Sequence, residues 1–162
     1  MPNVICNTSP LQYLHQADVL ELLPALVGQV YVPEAVVAEL EEGRRRNVRL
    51  PNLEELSWLT VRPVRDRTLL PMVTHLGDGE KEVLALGLET RDALLLLDDR
   101  DARRYARSLE LDISGTLGIL LLAKERGMLD AVQPVLNRLQ ALRFRLNVRT
   151  RQMVLERASE LT

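Results

Sequence analysis

Leu94-Leu95-Leu96-Leu97 is an unbroken apolar run, closed at once by Asp98-Asp99-Arg100-Asp101. A short apolar run bounded by charge reads as a strand buried on both faces, the kind found in parallel sheets covered by helices. Just upstream, Gly79-Glu80-Lys81-Glu82 opens a helical stretch. The helix and the strand adjoin in sequence and can pack side by side. Two carboxylates at a helix start then meet three more just past a strand end. Carboxylates massed in this way repel one another unless something positive sits among them. A hard divalent cation with oxygen ligands, Mg2+ or Mn2+, is the simplest counter-charge.

The remainder of the chain repeats the alternation. Val4-Ile5-Cys6 and Val30-Tyr31-Val32 read as short strands. Ser9 or Thr8 can cap a helix that has Pro10 at its first position. Pro33 opens a helix with Val36, Val37 and Leu40 on one face, stopped by Gly43. Leu59 to Val64 reads as extended. Helices are expected from about Glu80 to Thr90 and from Asp101 to Leu109, with a strand end at Ile113-Ser114-Gly115. Thr116 caps an apolar helix through Leu122, ended by Gly127. The C-terminal third reads as helical, with Pro134 near a start. This pattern predicts an α/β sandwich with a mainly parallel sheet. In such sheets ligands sit beyond the carboxyl ends of the strands. Three polar clusters fall there: Asn7-Thr8-Ser9, Asp98 to Asp101, and Gly115-Thr116.

Composition narrows the partners. The 162 residues suit one domain. Aromatics are 3%, too few for a base-stacking platform. The net charge of −2 creates no global attraction to nucleic acid, so any such attraction must come from local arginines. The single cysteine, Cys6, cannot form a disulfide within the chain and reads as a small buried hydrophobe. No signal peptide or membrane span is visible, so a cytoplasmic protein is expected.

On a helical wheel Glu80 shares the face of Val83, Leu84, Gly87 and Leu88, which points it toward the sheet, while Glu82 lies to the side. Either acid also suits a helix start through the macrodipole. Asp98 and Asp99 leave a strand end toward opposite sides, and Asp99 or Asp101 can cap the next helix. Two Glu and two Asp converging suit metal-assisted phosphodiester hydrolysis. Arg100, Arg103, Arg104 and Arg107 form a helical stripe opposite Ala102, Tyr105, Ala106 and Leu109. That stripe is either a solvated basic face or a track for an RNA backbone. His15 and His75 are too scattered for a histidine site.

The order of these motifs resembles a PIN domain. The matching segments are Val4-Ile5-Cys6-Asn7-Thr8-Ser9-Pro10-Leu11, Val32 to Leu40, Gly77 to Glu82, Leu95 to Arg103, and Gly115 to Lys124. The resemblance runs to about residue 147, with residues 148–162 as a C-terminal helical extension packed on the same domain. It implies a three-layer α/β/α sandwich and a Mg2+- or Mn2+-dependent endoribonuclease, often the toxin of a toxin–antitoxin pair. By position, Glu39, Glu80, Glu82 and Asp99 are the implied catalytic acids. Asp98 or Asp101 is auxiliary, and Thr8, Ser9 and Thr116 are hydroxyls near the metal or scissile phosphate. An RNA substrate, a small antitoxin and a homodimer are implied partners.

One position departs from the pattern. Active PIN nucleases usually carry Asp at the end of the first strand, and this chain carries Asn7. Asn offers a carbonyl oxygen but no charge. A catalytically weak or silent RNA- or protein-binding module is therefore the alternative. A different Mg2+-using phosphohydrolase, with Asp99 as nucleophile, is a third reading.

Overall fold

A computed structural model describes residues 2–161. Five strands, β1 (Asn3–Cys6), β2 (Val30–Val32), β3 (Leu59–Val61), β4 (Ala93–Leu96) and β5 (Asp112–Ser114), form one all-parallel sheet in the order β3-β2-β1-β4-β5. The helices are α1 (Thr8–Gln16), α2 (Leu22–Val27), α3 (Glu34–Arg45), α4 (Asp78–Glu89), α5 (Arg100–Ser108), α6 (Thr116–Glu125), α7 (Gln133–Ala141) and α8 (Val148–Arg157). The result is the expected three-layer α/β/α sandwich. Among the described residues no helix is long and apolar enough to cross a membrane.

The apolar run fixes the centre of the sheet. β4 pairs along its length with β1, from Asn3 opposite Ala93 to Cys6 opposite Leu96. Ile5, Leu95, Leu96 and Leu97 are fully buried, as are Leu84 and Leu86 of α4 and Leu120 of α6. Cys6 is buried in the same core, and burial pushes its thiol well up. From β1 the chain winds outward through β2 to β3; from β4 it winds the other way to β5. The order therefore reverses between β1 and β4, and their carboxyl ends open a crevice of the kind where ligands bind in open α/β sheets.

Several boundaries differ from the sequence expectation, each for a local reason. α4 starts at Asp78, two residues early, because the Glu80 carboxylate accepts the Gly77 N–H at 2.9 Å and satisfies an otherwise orphaned donor. α3 runs through Gly43 to Arg45: that glycine lies under the Leu50 side chain, where a Cβ would collide, so it serves packing and not helix termination. α1 is capped at Asn7, which leaves Thr8 and Ser9 inside its first turn. Gly115, not Thr116, occupies the N-cap position of α6. β3 ends at Val61, short of Val64.

Candidate active site

Four segments deliver polar side chains to the crevice. Asn7 follows β1 directly, and its N–H donates to the Leu96 carbonyl at 3.1 Å, which ties it to the end of β4. Its side chain is only 5% exposed, and its Oδ1 has no hydrogen-bond partner among the described residues. A buried carbonyl oxygen without a donor costs about 1–3 kcal/mol, so such an atom calls for a ligand or for a functional reason.

Three carboxylates come from neighbouring segments. Glu39, exposed on α3, accepts the Thr8 hydroxyl at 2.8 Å. It lies against Gly79 at the start of α4: a Cβ on Gly79 would overlap the carboxylate and sit 2.8 Å from Oε1. A side chain at Gly79 would push the Glu39 carboxylate from its place. Glu80, half-buried, reaches back to the Gly77 N–H. Burial raises the Glu80 carboxyl above its ordinary range. The Gly77 N–H works against that shift, while the charges of Asp99 and Glu39 reinforce it. Glu80 also meets the Asp99 side chain, and so feels both other acids. Asp99 caps α5, its Oδ2 accepting the Ala102 N–H at 3.0 Å.

Each of these carboxylates holds one oxygen on a protein donor: Glu39 Oε2 on Thr8, Glu80 Oε1 on Gly77 and Asp99 Oδ2 on Ala102. Their second oxygens have no protein donor among the described residues. The candidate site thus combines a buried neutral oxygen with anchored carboxylates, of which Glu80 and Asp99 lie against each other. This all-oxygen donor set fits a hard divalent cation. As they stand, no three His, Cys, Asp or Glu side chains among the described residues are gathered closely enough to hold a metal ion.

The other candidate residues go elsewhere. Glu82 accepts the Ala35 N–H at 2.9 Å and an Arg67 N–H at 3.1 Å. It braces the start of α3 against α4 and is not brought to the cluster. Asp98, beside Asp99 in sequence, turns inward and accepts the Thr116 N–H at 2.8 Å and the Thr116 hydroxyl at 2.7 Å. Burial raises its carboxyl, and the Thr116 bonds and the Arg103 charge pull it back. The Thr116 hydroxyl, fully buried, is thereby committed to Asp98. Asp101 is exposed in the first turn of α5, and Ser9 is half-buried in the first turn of α1.

The arginine stripe divides. Arg103 folds back and donates from one guanidinium nitrogen to the Leu97 carbonyl at 2.8 Å and the Ser114 carbonyl at 3.0 Å. It stitches the ends of β4 and β5 together. Arg100, Arg104 and Arg107 are exposed and remain available to a partner. Gly79 and Gly115 are the functional positions that side-chain chemistry did not flag. A Cβ on Gly115 would sit 2.7 Å from Asp98 Oδ1 and 2.9 Å from the Leu97 carbonyl. The only signal for either in the sequence was a glycine beside a polar motif.

Anchored carboxylates thus lie at the switch point of an all-parallel sheet, where ligands bind in open α/β folds. A family model described as a PIN domain matches residues 3–160, and the chain belongs to that family. PIN domains are a nuclease-type class that generally uses divalent metals. No curated protein matches the chain.

Proposed function

We propose that the protein is a metal-dependent endoribonuclease and that Glu39, Glu80 and Asp99, with Asn7, form its active site. The reading rests on three carboxylates brought to the carboxyl ends of the strands, with Glu80 feeling the charges of Asp99 and Glu39, and on the unpartnered Asn7 Oδ1 that follows β1. These residues would hold Mg2+ or Mn2+. When bound, such an ion lowers the pKa of a water and offsets charge building on the phosphate. The chain's own contribution is positional. The Thr8 hydroxyl, the Gly77 N–H and the Ala102 N–H each fix one oxygen of a carboxylate, so that the other faces the crevice in a set direction. Arg100, Arg104 and Arg107 line one approach and would hold the RNA backbone, whose phosphates they match as bidentate donors.

Incubation of the purified protein with single-stranded and structured RNA, in Mn2+, Mg2+ or EDTA, tests this reading. Metal-dependent cleavage should appear in the native protein and vanish in Asp99→Asn. Cleavage that survives Asp99→Asn would remove the site assignment. A role as the toxin of a toxin–antitoxin pair, with a small antitoxin and a homodimer, extends the proposal and is supported by the family alone. Co-expression that restores growth arrested by this chain would identify such an antitoxin.

A second reading has its own support. Asn7 supplies no charge, and the carboxylates do not yet stand in ligand geometry. A catalytically weak or silent module follows if the neutral residue leaves the site unable to retain a cation. Asn7→Asp then raises metal affinity in calorimetry and creates cleavage. If Asn7→Asp changes neither affinity nor activity, this second reading fails.

A further inference from the structure

The C-terminal region holds a charge imbalance that the acidic site does not use. Residues 131–155 contain five arginines, Arg138, Arg143, Arg145, Arg149 and Arg151, and no Asp or Glu, in a chain whose net charge is −2. They sit on α7, on the segment joining it to α8, and on the first turns of α8. Arg138, Arg143, Arg145 and Arg149 are exposed. Among the described residues none of the five forms an ion pair. Asp18 feels Arg138 but is bonded to Arg49, and Glu160, seated at the start of α7, is paired with Lys124; Glu156 is the one acid within α8.

Arg151 shows how the surface is built. Its guanidinium donates to Gln140 Oε1 and Asn137 Oδ1, both at 2.7 Å, so two neutral amides of α7 hold it and leave its charge uncancelled. The same bonds clamp the start of α8 onto α7 and bring the arginines of both helices to one region. The placement also runs against helix electrostatics. Asn147 caps α8 through the Thr150 N–H at 2.8 Å, yet the first turn has no acidic residue and carries Arg149. A cation at the positive end of a helix dipole is destabilising, and a local rule broken without structural gain marks a functional position.

We infer that the α7–α8 face is a second binding surface, separate from the acidic crevice, that takes the phosphate backbone of a nucleic acid. Every cation on it is arginine, the residue whose fork of donors matches phosphate oxygens. Scarce exposed aromatics leave base stacking aside, so the recognition is of backbone and depends on salt. The surface is independent of metal and of cleavage.

Fluorescence anisotropy in EDTA, with labelled 20-nucleotide RNA, the matching RNA duplex and a DNA duplex, reads backbone binding without metal or cleavage, and an Arg100→Gln/Arg104→Gln/Arg107→Gln background removes the contribution of α5. Arg145→Glu/Arg149→Glu should weaken binding at least tenfold and lower the slope of log K against log salt by about one to two. Charge reversal at Arg44 and Arg45 should have a smaller effect. Arg145→Gln/Arg149→Gln should give an intermediate loss while its melting temperature stays level or rises, which separates lost contacts from lost folding. Binding to RNA and DNA alike marks general backbone recognition, and preference for one names the source; either supports the inference. Three results overturn it: no binding by the native chain, binding unaffected by the double variants, or equal capture of polyglutamate, which would make the face a site for an acidic protein.

Discussion

Asp98 and Asp99 are neighbours in the chain and opposites in the structure. Asp98 is turned inward, with both oxygens taken by Thr116, Gly115 pressed against it and Arg103 nearby. Asp99 is exposed, spends one oxygen on a helix cap and leaves the other free. The same contrast separates Glu82, bonded on both oxygens, from Glu80, bonded on one. A polar group with all its partners in place is structure. One with an acceptor open, crowded by like charge, is a candidate for chemistry.

Four substitutions put that contrast at risk. Asp98→Ala leaves the Thr116 N–H and hydroxyl without an acceptor and removes the negative charge near Arg103, and should lower stability by about 3 kcal/mol or more. Urea denaturation reads it, and a loss below about 1 kcal/mol would break the assignment of Asp98 to the framework. Asp99→Asn should do the reverse: cleavage falls about 100-fold or more while the urea midpoint scarcely moves, because Asn caps a helix as well as Asp. Glu82→Ala unpairs the Ala35 N–H and Arg67 and should cost about 1–2 kcal/mol, with cleavage changed no more than about threefold once folding is allowed for. A large, selective loss of activity would return Glu82 to the site.

Glu80→Gln gives the smallest effect and the most telling sign. The fold raises the Glu80 carboxyl, so its contribution to stability is full below the unfolded carboxyl range and is lost as pH rises through the folded value. Near pH 7 the charged group is a burden beside Asp99 and Glu39. Gln keeps the bond to the Gly77 N–H and sheds the repulsion, so the melting temperature should rise by about 1–3 °C at pH 7. The gain should shrink toward pH 4, where Glu80 in the native protein takes up its proton. A fall at pH 7 would mean that Glu80 is held as framework after all.

The sheet was legible because its signals are one-dimensional. Leu94 to Leu97 flanked by aspartates can hardly be anything but a central parallel strand, and Val30 to Val32 formed where its β-branched run stands. The acidic site was legible as a population of carboxylates. Its division into framework and site was not, because that depends on backbone atoms far off in sequence. Nothing in Glu80-Lys81-Glu82 says that the N–H of Ala35 waits for the second glutamate. Nothing in the arginine stripe says that the carbonyls of Leu97 and Ser114 will converge under Arg103. Periodicity places a side chain on a face; it does not know which backbone groups that face will meet.

The reversal of strand order between β1 and β4 has a consequence for how the protein comes into being. The crevice groups arrive from positions 7, 39, 80 and 99, and the end of β1 becomes a wall of the crevice only when β4 lies down beside it. A ribosome adding about 5–20 residues per second takes several seconds or more to travel from the first of these positions to the last. Throughout that interval the emerging chain carries acids but no crevice. A fragment released before β4 has emerged carries Asn7, Glu39 and Glu80 without the strand that sets Asn7 and Asp99 side by side.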